Sequence, residues 1–95
     1  MLDEREASQL AELFGALSDP SRVRIIAELT RGEKNVSALA EVVDLTASAV
    51  SHQLRGLRQL RLVRARKVGR QVYYALDDEH IADLFAMGLD HVRHG

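Results

Sequence analysis

The chain has 95 residues, 46% of them apolar and 28% charged, with a formal net charge of -1; this balance predicts one small globular domain over residues 1–95. It contains no cysteine, which excludes disulfides, thiolate ligands and thiol redox sensing and leaves only nitrogen and oxygen donors for a metal. No apolar run approaches the roughly 20 residues of a membrane span, and the acidic start Met1-Leu2-Asp3-Glu4 is unlike a signal peptide, so the expected location is the cytoplasm.

The spacing predicts a first helix over about Asp3 to Leu17, with Leu10, Leu13, Phe14 and Leu17 on one face. Ser18-Asp19-Pro20 ends it and opens the next, since Asp19 can cap and Pro20 suits a first helical position. The second helix runs Ser21 to Thr30, with Val23, Ile26 and Ala27 inward, and stops at Arg31-Gly32. A short third helix from about Ser37 to Val43 leads to the turn Asp44-Leu45, and Thr46 caps a fourth that reaches about Leu60. There Ala47, Val50, Leu54 and Leu57 form an inward stripe, with Ser48, Ala49, His52 and Arg55 opposite. Two helices joined by a tight turn, the second presenting small polar residues outward, fit a helix-turn-helix.

Two β-prone runs, Leu62 to Lys67 and Gln71 to Leu76, flank Val68-Gly69-Arg70 and predict a hairpin with a basic tip. Behind a helix-turn-helix such a hairpin is a wing. Tyr73 and Tyr74 alternate faces on it, so one belongs to the core. A fifth helix starts near Asp77 or Asp78 and runs to the end, with Ile81, Phe85, Leu89 and Val92 as one stripe and His80, Leu84, Met87, His91 and His94 as its neighbour. The expected fold is therefore mainly α with a β-hairpin wing: a winged helix-turn-helix of five helices.

The near-neutral net charge conceals a sorted chain. Residues 45–76 hold no Asp or Glu, yet carry Arg55, Arg58, Arg61, Arg64, Arg66, Lys67 and Arg70, seven of the thirteen basic residues. A local positive face of this kind is the electrostatic footprint of a nucleic-acid binder. The candidate contacts to double-stranded DNA are Thr46, Ser48, Ala49, Ser51, His52 and Arg55 on the fourth helix, and Arg66, Lys67 and Arg70 on the wing, where they can meet phosphates.

Three of the four histidines crowd the C-terminus. His80 and His91 are eleven residues apart, which at about 100° per residue returns to within about 20° of the same face, and His94 follows one turn on. Eleven residues of helix rise roughly 16.5 Å, whereas zinc-nitrogen bonds are about 2.0 to 2.1 Å long. One helix cannot close such a site. A second copy running antiparallel brings the aspartate and His80 end of one chain to the His91 and His94 end of the other, giving two four-ligand sites per homodimer. The aspartate is open at this point. Asp78 and His80, two apart in a regular helix, point about 200° away from each other and converge only if Asp78 lies outside the regular turn, while Asp77 fits a continuous helix better; either can also serve as the helix cap. One carboxylate and three imidazoles suit tetrahedral Zn(II), then Co(II), with Ni(II) third because six-coordination needs two further ligands. The set fills every position, and no catalytic nucleophile, general base or glycine-rich phosphate loop appears elsewhere, so neither an enzyme nor a small organic substrate is expected.

The segments Leu17-Ser18-Asp19-Pro20-Ser21-Arg22, Ser48-Ala49-Val50-Ser51-His52-Gln53-Leu54 and Gly69-Arg70-Gln71-Val72-Tyr73-Tyr74 together resemble the ArsR/SmtB family of winged-helix metal-sensing repressors, over nearly the whole chain. The Asp-x-His and His-x-x-His ending is similar to the zinc- and cobalt-sensing branch that uses its last helix. The resemblance implies a homodimer, joined through its first and last helices, that represses an operator and leaves it on binding metal. It places the ligands on Asp78, His80, His91 and His94, two from each subunit, and directs the second ring proton of His91 toward the corner near Arg61. Many relatives carry a Cys-x-Cys pair where this chain has Asn35-Val36-Ser37, which disfavours sensing of arsenic, cadmium or lead there. The alternative is a winged-helix regulator that answers to nickel or to a non-metal signal.

Overall fold

Every helix begins behind an Asp, Asn or Thr whose side-chain oxygen accepts a backbone N–H that the first turn leaves without an intrahelical partner. In the computed structural model, which describes residues 1–95, these helices are α1 (Glu4–Ala16), α2 (Pro20–Leu29), α3 (Val36–Val43), α4 (Ala47–Gln59) and α5 (Glu79–His94). Their caps are Asp3, Asp19, Asn35, Thr46 and Asp78. Asp3 and Glu6 form a reciprocal capping box, and Pro20 occupies the first turn of α2. Asn35 accepts from Ala38 N at 2.9 Å and so starts α3 one residue before the expected Ser37.

The helix ends are local too. Asp44 closes α3 in the left-handed region at φ 57°, which turns the chain sharply into Thr46 and α4. Past α4, Arg61 adopts φ 59° and Leu62 N donates to Leu57 O at 2.9 Å, a hydrogen bond that redirects the chain into the wing.

The strands are β1 (Lys34–Asn35), β2 (Val63–Val68) and β3 (Gln71–Leu76), in the order β1-β3-β2, all antiparallel. The β2–β3 register runs from Val63 opposite Leu76 to Val68 opposite Gln71, leaving Gly69-Arg70 as a two-residue tip. Gly69 has φ 61°, the backbone that a Gly-first hairpin turn requires. Strand β1 was not expected; it pairs Lys34 with Tyr74 and Asn35 with Tyr73 along the free edge of β3.

The core contains twelve buried residues, all apolar, drawn chiefly from α2, α3, α4 and the base of the wing. Ile25, Ile26, Leu39, Val50, Leu54, Leu57 and Val63 are almost completely shielded, and each contributes roughly 1.5–3 kcal/mol by leaving water. Tyr74 packs against this core. Two expectations about the stripes are corrected. Ala47, the first residue of α4, is exposed, and α2 buries Ile25 and Leu29 beside Ile26 while Val23 and Ala27 are only half-buried, a broader buried face than the one stripe expected. The end helices differ from the rest: α1 buries only Ala16 and α5 only Ile81. Phe14, Met87 and Val92 are 56%, 72% and 74% exposed.

Candidate nucleic-acid interface and metal-ligand pairs

Burial of Val50, Leu54 and Leu57 against the core turns the opposite side of α4 to solvent, so Ser48, His52 and Arg55 are exposed and Ala49 and Ser51 partly so. The Thr46 hydroxyl accepts from Ala49 N at 3.0 Å and is thereby occupied in holding the start of the helix. On the wing, Lys67 and Arg70 are exposed near or on the tip and form no ion pair. Arg66 differs: its guanidinium is ion-paired with both oxygens of Glu33, with Nε donating to Oε2 at 3.3 Å. The hydrogen bond from Arg66 holds the carboxyl of Glu33, just before β1, below the ordinary carboxylate range, and the same bond pushes the Arg66 guanidinium still higher. No sequence signal marks Glu33, which is 33 positions from Arg66; only β1, placed on the far side of β3, brings them together.

Along α5 the four expected ligands form two pairs. Asp78 is the cap, with φ -153° and ψ 176°, accepting from His80 N at 2.9 Å and Ile81 N at 3.3 Å. Because its backbone is extended and outside the helical turn, its carboxylate faces the His80 ring, with Oδ1 3.5 Å from Nδ1. Desolvation raises the Asp78 carboxyl pKa, but hydrogen bonds from the His80 ring and from the backbone N–H groups of Ile81 and His80 outweigh it and set the carboxyl below its usual value. At the other end His91 and His94 line one shallow concavity with Met87, Asp90 and Gly95. The His94 ring is steadied within its own helix, with Nδ1 2.8 Å from Asp90 O and 2.9 Å from Asp90 Oδ1. No three His, Asp or Glu side chains of one chain converge on a metal-sized space. The carboxylate and imidazole donors at each end of α5 fit a divalent cation chemically, and the two pairs lie at opposite ends of the helix.

Between the pairs lies an open apolar groove, lined by Phe14 of α1 and Leu17 just past its end, Val23 and Ile26 of α2, and the α5 stripe from Ile81 to Val92. The base of the wing meets the start of α5 beside it: Asp77 N donates to Leu62 O at 3.0 Å, and Arg64 donates to Asp77 O at 3.1 Å.

Residues 19–65, from the cap of α2 to the first half of the wing, match the model of the arsR family of bacterial regulatory proteins. Over 88 residues the chain is 50% identical to a transcriptional repressor SmtB homolog of Synechocystis, covering 93% of this chain and 67% of the relative. The chain belongs to the ArsR family. Other ArsR relatives are the transcriptional regulator NmtR of Mycobacterium tuberculosis, 43% identical over 98% of this chain and 78% of its own length, and a cadmium resistance regulatory protein CadC homolog of Staphylococcus aureus, 38% identical over 97% and 77%. A homodimeric winged helix-turn-helix DNA-binding domain of Mycobacterium bovis superposes with a TM-score of 0.85 at 30% identity, covering 98% of this chain and 89% of that one. The ArsR chain is thus a winged-helix DNA-binding transcriptional regulator and not an enzyme. None of its helices is long and apolar enough to cross a membrane.

Proposed function

We propose that the protein is a homodimeric metal-responsive repressor, bound to operator DNA when metal-free and released by Zn(II) or Co(II) held between the last helices of its two subunits. The observation that carries this reading is the division of Asp78 with His80 and His91 with His94 to opposite ends of one helix whose apolar face is bare. Relatives described as a repressor and as a cadmium resistance regulator support the class, and the homodimeric neighbour supports the assembly. The absence of cysteine turns the choice from thiophilic metals to those content with nitrogen and oxygen.

In the mechanism, α4 of each subunit enters the major groove with Ser48, Ala49, Ser51, His52 and Arg55, while Lys67 and Arg70 reach flanking phosphates. Asp78 and His80 of one subunit with His91 and His94 of the other would hold the metal, which would supply a charged tie between the two α5 helices. What the chain provides is the transmission. The backbone of Asp77, next to Asp78, is held on both sides, its N–H by Leu62 O just before β2 and its carbonyl by the Arg64 guanidinium of β2, so a change in the setting of α5 reaches the wing directly. Metal and DNA then oppose each other reciprocally, with couplings of about 1–3 kcal/mol typical of such linkage.

Cobalt titration is the test. Tetrahedral d-d absorption saturating at one Co(II) per subunit, together with release of a duplex selected from a random pool by the metal-free protein, is the expected result. His91→Ala should keep DNA binding and lose the response; octahedral spectra, or release by metal in that variant, would overturn the reading.

A further inference from the structure

One charged side chain beside the DNA-reading helix belongs to neither the basic stretch nor the wing. Arg22, at the start of α2, has its backbone N–H held by Asp19 at 3.1 Å, and its side chain crosses to α4, where Nε donates to Gln53 Oε1 at 2.7 Å. The contact is partly buried and joins residues 31 apart. Arg22 has no carboxylate partner in the chain. Its guanidinium also lies where α4 has no side chain: a Cβ added at Gly56 would sit 3.4 Å from Arg22 Nη2. Gln53 and Gly56 are three apart, one turn of the same flank of α4, beside the exposed row of Ser48, His52 and Arg55.

We propose that Arg22 is a positioning residue for DNA reading, fixing the rotation of the recognition helix through its hydrogen bond to Gln53 and its seat against Gly56. Apolar packing of Val50, Leu54 and Leu57 holds α4 to the core but tolerates small rolls about the helix axis, being non-directional. A charged donor on a fixed amide acceptor is directional, and it acts on the side of α4 that the apolar contacts leave free. Because Gln53 spends its oxygen on Arg22, its side-chain amide orientation is also set. The inference rests on DNA binding alone and does not require the metal reading.

The experiment compares wild type with Arg22→Gln, Arg22→Lys, Gln53→Ala and the double variant Arg22→Gln/Gln53→Ala, in metal-free buffer. Binding is measured to a duplex selected by the wild type and to a random duplex, across a salt series. A positioning role predicts about tenfold weaker binding to the selected duplex in each single variant, unchanged binding to the random duplex, an unchanged salt slope, and no further loss in the double variant. Arg22→Lys should fail to rescue, since charge without the Nε donor does not hold the amide. Gly56→Leu, which evicts the guanidinium from the other side, should reproduce the loss with both hydrogen-bonding residues intact. A salt slope lower by about 0.9 in Arg22→Gln, with both duplexes weakened alike, would make Arg22 a direct phosphate contact and overturn the proposal. So would additive losses in the double variant, full binding by Arg22→Lys, or a lowered melting temperature with wild-type binding.

Discussion

At the scale of single residues, the informative ones are those whose partners lie outside their own segment. Arg66 carries the charge expected of a wing contact, yet Glu33 already neutralises it. An exposed pair of this kind is screened by solvent, so it stabilises the fold little and matters through the phosphate it competes with. Glu33→Gln should therefore tighten DNA binding and steepen the salt dependence by about one phosphate, or 0.9 in the log-log slope; a slope equal to wild type would show that Arg66 reaches phosphate with or without Glu33. Asp78 gives a pH prediction with a definite sign. Its carboxyl is lowered in the folded chain, so its contribution is present above the unfolded carboxylate pKa and fades as pH falls through the lower folded value. In chelator, wild type should melt above Asp78→Asn at neutral pH, and the difference should close as the solution is made acidic.

At the scale of elements, the turn at the wing tip makes the sharpest demand on residue type. Gly69, at φ 61°, has open space where a Cβ would project, so the cost of Gly69→Ala is backbone strain alone, roughly 1–2 kcal/mol. That strain should lower the melting temperature and move Arg70, weakening both specific and random DNA binding; a variant as stable as wild type would mean that the turn relaxes into another type. The helices were legible because each carries its own start signal, and α1, α2, α4 and α5 begin within a residue or two of where Asp3, Asp19, Thr46 and Asp78 put them. Strand β1 was not legible, since two residues have no period and Lys34-Asn35 becomes a strand only beside β3. The site divides in the same way. The histidine stripe on α5 follows from helical spacing, which by itself left Asp77 and Asp78 open, and the extended cap geometry of Asp78 is what lets residues two apart face each other. The links of Arg22 to Gln53 and Glu33 to Arg66 span 31 and 33 positions, and no local pattern encodes them.

At the scale of the whole molecule, a single copy is unfinished. Its radius of gyration is 13.9 Å, against about 12.4 Å for a compact chain of this length, and its extents of 46 × 32 × 21 Å reflect end helices that project from the core. Only twelve of 95 residues are buried, while α1 and α5 together leave Phe14, Leu84, Phe85, Leu89 and Val92 along one open groove. In the dimer proposed above, a two-fold axis through that groove would cover the apolar faces and, with α5 antiparallel to its copy, would carry each Asp78 and His80 toward the partner's far end. Sedimentation should find a dimer without metal. Phe14→Glu, at a position 56% exposed in one chain, should leave the subunit folded but place two carboxylates in the interface, weakening the dimer roughly hundredfold. DNA binding should fall with it, because two recognition helices in successive major grooves require a shared frame. The same variant should keep half-sites for metal but bind Co(II) without tetrahedral absorption. A Phe14→Glu protein that stays dimeric in sedimentation would place the subunit contact on another face, and one that is monomeric yet shows full tetrahedral absorption would place all four ligands within a single chain.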